Sequence, residues 1–366
     1  MDYDIGSVAG NFKTNGVFAR AVPFGCGHIN DTFRVTCRKK TGDVNYVLQR
    51  INHDIFTDPA SLMQNIVRVT AHIQNEVQSQ GGDTARQLCV IGARDGKPFY
   101  KDNSGNYWRM FNLIEKTVTK QTLESVDLAF EAAAAFGRFQ KMLGSLPGPS
   151  LNETVPGFHN TPARFDALVD IIQKDPCNRA IDAKQQIDFV MKNASICGVM
   201  LGFAEKGDIP LRVTHNDTKI NNVLLDEDTG KGICVIDLDT VMPGLSLYDV
   251  GDMVRTAACT AAEDERDLKK VNVNLEIYKN IARGFAAETA EFLTDTEKQQ
   301  FPFAGILITF EQMIRFLTDY LAGDVYYRIH RPGQNLDRAA VQMRLVQSLM
   351  EHQGQMRKLN EKVWNV

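Results

Sequence analysis

The stretch from residue 213 to 256 constrains the fold more than any other, because it contains two neighbouring β-like runs with polar residues at their ends. Residues 223–225 form a short apolar run, and residues 232–236 form a longer one that is rich in β-branched side chains. The segment 226–231 between them has the Asp, Thr and Gly residues that are typical of a hairpin turn. The sequence therefore predicts a β-hairpin with chemically active side chains at the rim of a buried sheet.

The spacing of these polar residues is that of a phosphotransfer site. A loop of the form His-x-Asp-x-x-x-x-Asn precedes the hairpin, and a further Asp closes the second strand twenty residues after the first Asp. This is the layout of a protein-kinase catalytic loop followed by its metal-binding Asp. In such sites the loop Asp accepts the proton of the attacking hydroxyl, and the Asn and the later Asp hold magnesium. The pattern predicts Asp217 as the base and Asn222 and Asp237 as the metal ligands.

The same hairpin admits a second interpretation. Residues 237–239 resemble the Asp-x-Asp motif of haloacid-dehalogenase phosphatases, in which the first Asp is the nucleophile. That family usually carries the motif near its N-terminus, whereas here it lies beyond residue 230 and follows a catalytic-loop pattern. The sequence favours phosphotransfer and leaves the phosphatase as the alternative.

The composition excludes several classes of function. The chain has 366 residues, of which 43% are hydrophobic and 23% charged, as in globular proteins with room for two lobes. A net charge of −4 argues against nucleic acid and anionic membranes as partners. We find no signal peptide, no apolar run near the ~20 residues of a membrane span and no Cys-x-x-Cys pair among the seven cysteines. We therefore expect a cytoplasmic protein, monomeric or homodimeric, with reduced thiols.

Residues 17–50 predict an antiparallel sheet with a turn at Gly42-Asp43. Its first connection contains a Gly-x-Gly loop, which can form a flap whose backbone amides face phosphates. The nucleotide contacts expected in this loop are Gly25, Gly27, His28, Asn30 and Thr32. The next strand lies where a kinase keeps its phosphate-binding lysine, and here Gln49 and Arg50 are the candidates. We favour Arg50 because a guanidinium can hold two phosphate oxygens at once.

The remaining pattern predicts a change from sheet to helix along the chain. Asp58 and the proline after it mark the start of a helix over 57–80, and a hairpin is expected over 97–115. The second strand of that hairpin should run to a hinge where main-chain groups of Asn112 and Ile114 meet adenine. Further helices are predicted over 124–145, 162–174, 181–206, 264–292, 295–322 and 335–362. We expect an α+β, bilobal protein-kinase-like fold, with a small antiparallel-sheet nucleotide lobe at 1–116 and a larger, mainly helical substrate lobe at 117–366.

Several segments carry a family likeness. HNDTKINN, VIDLDTVMPG and YDVGDMVRT resemble the aminoglycoside phosphotransferase and choline kinase superfamily. GCGHINDTFRV, YVLQRIN, FHNTPAR and IRFLTDYLAGDVYY resemble, more narrowly, the N-acetylhexosamine 1-kinases. The resemblance implies ATP-dependent phosphorylation of the anomeric hydroxyl of N-acetylglucosamine or N-acetylgalactosamine, with ATP and Mg²⁺ required.

The resemblance also assigns roles to single residues. It matches Asp217 to the base, Asn222 and Asp237 to the magnesium ligands, and Asp239 to an additional or outer ligand. It makes His215 a brace of the catalytic loop and Asp249 its anchor. The sugar contacts it suggests are Arg315 and Tyr326, followed by the weaker candidates Arg255, Thr256, His159 and Arg164.

Two other classes of function remain as alternatives. A binding module that keeps the fold without catalysis would normally have lost Asp217, Asn222 or Asp237, and all three are present. A kinase of choline, homoserine, methylthioribose or an aminoglycoside is the stronger competitor. Choline requires an aromatic cage and an aminoglycoside requires an acidic pocket, whereas the late segment offers arginines beside tyrosines, which suits a neutral polyol better.

Overall fold

The computed structural model describes residues 3–25, 29–123 and 125–365. The strands are β1 (Val17–Pro23), β2 (Asp31–Lys39), β3 (Gly42–Ile51), β4 (Tyr100–Lys101), β5 (Tyr107–Asn112), β6 (Thr117–Val118), β7 (Leu211–Thr214), β8 (Val223–Asp226), β9 (Gly232–Val235) and β10 (Met242–Leu245). The helices are α1 (Ile5–Gly10), α2 (Pro59–Ser79), α3 (Val126–Leu143), α4 (Thr161–Lys174), α5 (Lys184–Lys192), α6 (Val199–Glu205), α7 (Ser246–Ala257), α8 (Leu275–Thr289), α9 (Asp295–Ala322), α10 (Gln334–Glu351) and α11 (Gln353–Trp364). The predicted α+β class is confirmed.

The chain divides into two compact units, each built from separate parts of the sequence. The first unit comprises Met1–Val118, Met142–Pro156 and Leu224–Met242. The second comprises Thr119–Lys141, Gly157–Val223 and Pro243–Val366. The division into functional lobes at residues 116 and 117 stays a prediction.

A five-stranded antiparallel sheet dominates the first unit, in the order β1-β2-β3-β5-β4. Side chains alternate between its two faces. One face carries Val35, Leu48 and Trp108, which are fully buried and pack with Val8 of α1 in a hydrophobic core. The opposite face carries polar side chains, among them that of Arg109, and is the face that matters for the candidate site.

The turn between β2 and β3 lies earlier than predicted. Lys39 pairs with Gly42 across a two-residue connection, so Gly42 already belongs to the strand rather than to the turn. Its φ of 126° explains why a glycine stands there, since a side chain would be strained in that conformation.

The second unit is mainly helical. The predicted helix over 295–322 is confirmed as α9, which begins with a capping box between Thr294 and Glu297. The prediction of one helix over 181–206 is wrong, because the chain forms α5, a 3₁₀ turn at Ala194–Ile196 and α6. The apolar periodicity continues through both breaks, so the sequence pattern did not reveal them.

Two further helix predictions need correction. The helix predicted over 264–292 begins only at Leu275, where Asn274 caps it by accepting hydrogen bonds from two backbone amides. The helix predicted over 335–362 is interrupted at His352, between α10 and α11. Helix α7 was not predicted, although its sequence was recognised as a motif.

Within the described ranges, no single helix is both long enough and apolar enough to cross a membrane. The bent pair Lys184–Lys192 and Ala194–Glu205 together has that length and composition, and nothing more points to a span.

Candidate active site

The loop between β7 and β8 holds Asp217 in a defined position. Asn222 donates from its side-chain amide to the carboxylate of Asp217 at 3.0 Å and to its main-chain carbonyl at 2.8 Å. The ammonium of Lys219 lies 3.1 Å from the other carboxylate oxygen, and the side chain of Asp217 is 27% exposed. A carboxylate that is both fixed and accessible can accept a proton from a bound hydroxyl.

Asp249, at the first turn of α7, anchors this loop by hydrogen bonds, as the family resemblance implied. Its carboxylate is fully buried and accepts the backbone amides of His215 at 2.9 Å and Asn216 at 2.7 Å. Gln140 donates a further hydrogen bond to it. Burial raises the pKa of Asp249 above its ordinary value despite these donors. The backbone at Asn216 has a φ of 65°, a conformation that the buried carboxylate helps to hold.

His215 acts as the predicted brace, since its ring is buried between aromatic side chains of α3. The ring centroids of Phe136 and Phe139 lie 5.3 and 5.8 Å from that of His215. The loop is therefore held by packing as well as by hydrogen bonds.

Arg255 lies close to the loop but is engaged by carboxylates. It donates two hydrogen bonds to one oxygen of Asp252, at 2.9 and 2.8 Å, and one to Glu263 at 3.2 Å. The other oxygen of Asp252 accepts the backbone amide of Thr218, next to Asp217. Burial alone would lower the pKa of Arg255, but the charges of Asp252 and Glu263 raise it. This arrangement fits a residue that positions the loop better than one that contacts substrate.

In the first unit, Asp237 follows β9 and begins a tight turn. Its φ and ψ are 62° and 60°, which is the left-handed region, and a 3₁₀ turn at Leu238–Thr240 follows. Apart from glycine, Asn and Asp adopt this conformation most readily, although a non-glycine residue in it still carries some backbone strain. Asp239 lies two residues further along the same turn.

Asp239 is buried and paired with an arginine that sequence reasoning missed. Arg109 of β5 donates to both carboxylate oxygens, and the two side chains are 1% and 5% exposed. Asn30 adds a third hydrogen bond at 2.7 Å. Gln49 accepts the remaining guanidinium Nε–H of Arg109 at 2.9 Å. One signal was available, because Arg109 interrupts an otherwise apolar strand and a buried charge requires a partner.

Arg50, the favoured phosphate ligand, lies on the opposite face of the sheet from Gln49 and Arg109. Its guanidinium pairs with Asp31 at 2.7 Å and stacks over the ring of Tyr3. Gln49, the other candidate, donates to Thr32 at 3.1 Å and so belongs to the face that carries Asp239. The phosphate-binding roles assigned to Arg50 and Gln49 stay predictions. Of the two side chains, only that of Gln49 lies on the face of the sheet where Arg109 contacts Asp239.

The other predicted nucleotide contacts lie in three places. Gly25, the first residue of the Gly-x-Gly pattern, has a φ of 79°, whereas Gly27 and His28 lie outside the described residues. The side chain of Asn112 is occupied by main-chain groups of Gln87 and Cys89, at 3.0 and 2.7 Å.

Ile114, the second predicted adenine contact, is buried, and its carbonyl accepts the hydroxyl of Thr117. The contact of main-chain groups of Asn112 and Ile114 with adenine stays a prediction.

The predicted substrate residues are grouped in the second unit around Glu311 of α9. Both oxygens of Glu311 are occupied, by His159 at 2.8 Å and by the hydroxyl of Thr161 at 2.6 Å. Burial alone would raise the pKa of Glu311, but the charge of His159 and these hydrogen bonds lower it. His159 therefore serves as a buried partner of Glu311 through Nδ1.

Arg315 and Arg164 are the cations of this cluster, and within the described ranges neither forms an ion pair with a carboxylate. Arg315 stacks on Phe158 and Tyr327, at 5.0 and 5.7 Å from the ring centroids. Arg164 donates to the carbonyl of Phe158, and its buried Nε has no hydrogen-bond partner among the described residues. Burial and the charge of Arg315 lower the pKa of Arg164.

Tyr326 is 59% exposed and lies edge-on to Tyr327 beside these arginines. Arg255 is within electrostatic range of both Arg315 and Asp217, so the predicted sugar contacts and the predicted base share one region of the second unit.

The predicted magnesium ligands belong to separate units, Asn222 to the second and Asp237 to the first. An amide oxygen of Asn222 and the carboxylate of Asp237 are oxygen ligands of the kind that Mg²⁺ prefers. Asp239 does not fit, because both its oxygens already accept from Arg109. Within the described part of the chain, His, Cys, Asp and Glu form no group of three or more that could hold a metal ion. Magnesium sites with only one or two protein ligands take their remaining oxygen ligands from phosphates and water.

A comparison with known families decides between the two interpretations of the hairpin. Residues 20–285, more than half of the chain, match the phosphotransferase enzyme family. The chain belongs to this family. For this phosphotransferase the resemblance to the aminoglycoside phosphotransferase and choline kinase superfamily is confirmed, and the phosphatase alternative loses its basis.

Solved structures share the fold of this phosphotransferase over nearly its whole length. An aminoglycoside phosphotransferase from Alicyclobacillus acidocaldarius has a TM-score of 0.62 at 14% identity, covering 97% of this chain and 96% of that one. A microcompartment-associated aminopropanol kinase has a TM-score of 0.56 at 12% identity, with 96% and 98% covered. A spectinomycin phosphotransferase in complex with ADP and spectinomycin has a TM-score of 0.52 at 13% identity, with 93% and 94% covered. The predicted protein-kinase-like fold is confirmed, and identities this low carry no further conclusion.

Proposed function

We propose that this phosphotransferase is an ATP-dependent kinase that phosphorylates the anomeric hydroxyl of N-acetylhexosamines. The observation that carries the proposal is the accessible carboxylate of Asp217, held by Asn222 and Lys219 on a loop anchored by the buried Asp249. Membership of a phosphotransferase family supports a nucleotide as the phosphoryl donor. The solved spectinomycin phosphotransferase, which contains ADP, agrees with that donor.

The reaction requires little covalent chemistry from the protein. Asp217 accepts the proton of the sugar's O1 hydroxyl while that oxygen bonds to the γ-phosphorus and the bond from phosphorus to the bridging oxygen of ADP breaks. An anomeric hydroxyl is more acidic than an ordinary alcohol, because the ring oxygen withdraws electrons, so a carboxylate suffices as base. Asn222 and Asp237 are the residues that would hold Mg²⁺, whose chemistry when bound is to neutralise charge on the phosphates.

The substrate cluster favours an acceptor without positive charge. Arg164 and Arg315 repel each other, and among the described residues neither forms an ion pair with a carboxylate, so an ammonium group placed beside them would be repelled. Their N–H groups instead suit the lone pairs of hydroxyl and acetamido oxygens. The rings of Phe158 and Tyr327 add apolar surface beside them. This supports an N-acetylated sugar over choline or an aminoglycoside. A kinase of choline, homoserine, methylthioribose or an aminoglycoside remains the second candidate.

A comparison of acceptors tests the proposal. The protein is incubated with ATP, Mg²⁺ and either N-acetylglucosamine, N-acetylgalactosamine, glucosamine, choline or the methyl glycoside of N-acetylglucosamine. We expect turnover of an N-acetylhexosamine only, and a product that releases phosphate rapidly in dilute hot acid, as glycosyl phosphates do. The Asp217→Asn variant, purified in parallel, controls for contaminating kinases.

The outcomes separate the proposal from its competitors. An acid-stable sugar phosphate, or phosphorylation of the methyl glycoside, would contradict the 1-kinase assignment and leave the phosphotransferase family intact. Turnover of choline without turnover of either hexosamine would establish the second candidate.

A further inference from the structure

The loop that carries Asp237 is held from several sides within the first unit. Arg109 and Asn30 donate to the carboxylate of Asp239, and Thr154 donates to its main-chain carbonyl at 2.7 Å. Asn65 of α2, which is fully buried, donates to the carbonyl of Val241 at 3.2 Å. These contacts come from β5, from the connection before β2, from the segment after α3 and from α2. Contacts from four separate segments therefore fix the position of this short turn.

We propose that Arg109 is a positioning residue for Asp237, and that Asp239 anchors the turn instead of binding metal. The inference rests on the proposed function only in taking Asp237 as the ligand of a nucleotide-bound cation. Asp239 lies two residues after Asp237, so fixing its carboxylate restricts the rotation of the turn between them. The left-handed backbone of Asp237 carries strain that such a restriction helps to hold in place.

Arg109 has the geometry that such an anchor requires. Its planar guanidinium donates to both oxygens of Asp239, which fixes the orientation of the carboxylate as well as its distance. Its Nε–H is directed to Gln49, the residue paired with it across β3 and β5, and Gln49 in turn donates to Thr32. The anchor is therefore tied to three adjacent strands. A lysine in this place would keep the charge but could not hold both oxygens in one plane.

Two interpretations of the pair predict opposite effects on metal binding. If Asp239 were itself a metal ligand, Arg109 would compete with the cation, and replacing Arg109 by a neutral residue would strengthen binding. If Arg109 positions Asp237, the same replacement weakens binding. Outer groups that orient metal ligands change metal affinity by ~10–100-fold when removed. The sign of the effect therefore decides between the two interpretations.

The experiment measures metal binding without turnover, using Mn²⁺ as the probe in the presence of ADP. Free Mn²⁺ is counted by electron paramagnetic resonance for the wild type, Arg109→Met, Arg109→Lys and Asp239→Asn. The matched control is Arg212→Met, which removes an arginine that donates to both oxygens of the buried Glu297 in the second unit. This control shows how far the loss of a buried ion pair changes Mn²⁺ binding merely by lowering the stability of the fold. Far-ultraviolet circular dichroism at the same temperature verifies that each variant is folded.

We expect Arg109→Met to bind Mn²⁺–ADP at least ~10-fold more weakly, Arg109→Lys to fall between it and the wild type, and Arg212→Met to match the wild type within about twofold. Binding by Arg109→Met that is equal to or tighter than that of the wild type overturns the inference and leaves the proposed function standing. If Arg109→Met does not fold, Arg109→Lys decides by the same comparison. A wild type that retains no Mn²⁺ with ADP also overturns the inference, because Asp237 then binds no nucleotide-bound cation, while the acceptor assay decides the proposed function separately.

Discussion

The side-chain amide of Asn222 donates to the carboxylate of Asp217 across five residues of the same loop, at 3.0 Å. The nitrogen of this amide is thereby directed at the proposed base, and the oxygen Oδ1 is the atom left for a cation. One residue can then orient the base and supply a metal ligand. The arrangement brings proton acceptance by Asp217 and metal binding by Asn222 together on one loop.

Replacing Asp217 by Asn tests the assignment of the base. The variant keeps the size of the side chain but cannot accept a proton, so kcat should fall by about 10²–10⁴-fold. Affinity for ADP should stay close to that of the wild type, because the loop retains its anchor at Asp249. Steady-state kinetics and calorimetric titration with ADP measure the two quantities. Turnover above half of the wild-type value would show that another group is the base.

Replacing Arg255 by Lys distinguishes positioning from substrate binding. Arg255 donates twice to Asp252, whose second oxygen holds the amide of Thr218 beside the base. A lysine cannot make both hydrogen bonds, so the loop should shift and kcat should fall by roughly 10–100-fold, with the acceptor KM nearly unchanged. Arg344→Lys, in an exposed ion pair on α10, is the control. A large rise in acceptor KM at constant kcat would instead favour the predicted substrate contact.

Gly251 tests the packing of α7 against α9. A Cβ at this position would lie 2.4 Å from a side-chain carbon of Ile308 and 2.5 Å from the carbonyl oxygen of Ala304. Gly251→Ala should therefore destabilise the protein by about 1–3 kcal/mol, as overpacking does. Gly202, on α6, has open space around it, so Gly202→Ala should be neutral or slightly stabilising. Urea denaturation of both variants measures the difference, and equal midpoints would refute the close approach of the helices.

The pH dependence of stability tests the pairing of Glu311 with His159 and Thr161. The pKa of Glu311 is lowered in the folded state, so its ionised form stabilises the fold above its ordinary value of 4.5. That contribution should be lost as the pH falls through the lowered value. We expect Glu311→Gln to be less stable than the wild type at pH 7, and the gap to narrow steadily below pH ~4.5. Guanidinium denaturation from pH 7 to pH 3 measures it. A gap that is constant over this range would mean that the carboxylate's charge contributes nothing.

Local chemistry made part of the site predictable. The hairpin of β8 and β9 follows from a turn in which Asp226 accepts the amides of Asp228 and Thr229, contacts within three residues of chain. The start of α2 follows from Asp58, which caps it in the same local way. The order of His215, Asp217 and Asn222 indicated a catalytic loop before any fold was known. The hairpin and the start of the helix depend on neighbours in sequence, so the sequence was sufficient for both, whereas the catalytic role of the loop stays a prediction.

The sequence by itself determined the fold class, the family likeness and the loop that carries the proposed base. Only the tertiary structure decided which arginine of the sheet faces Asp239. Arg50 and Arg109 lie on opposite faces of the sheet, and the sequence does not show which face Asp239 approaches. Arg109 and Asp239 lie 130 residues apart, and their pairing depends on strand order and register. Alternation can be read along each strand, but the order of the strands and the approach of the turn after β9 to β5 arise only when segments distant in sequence pack together.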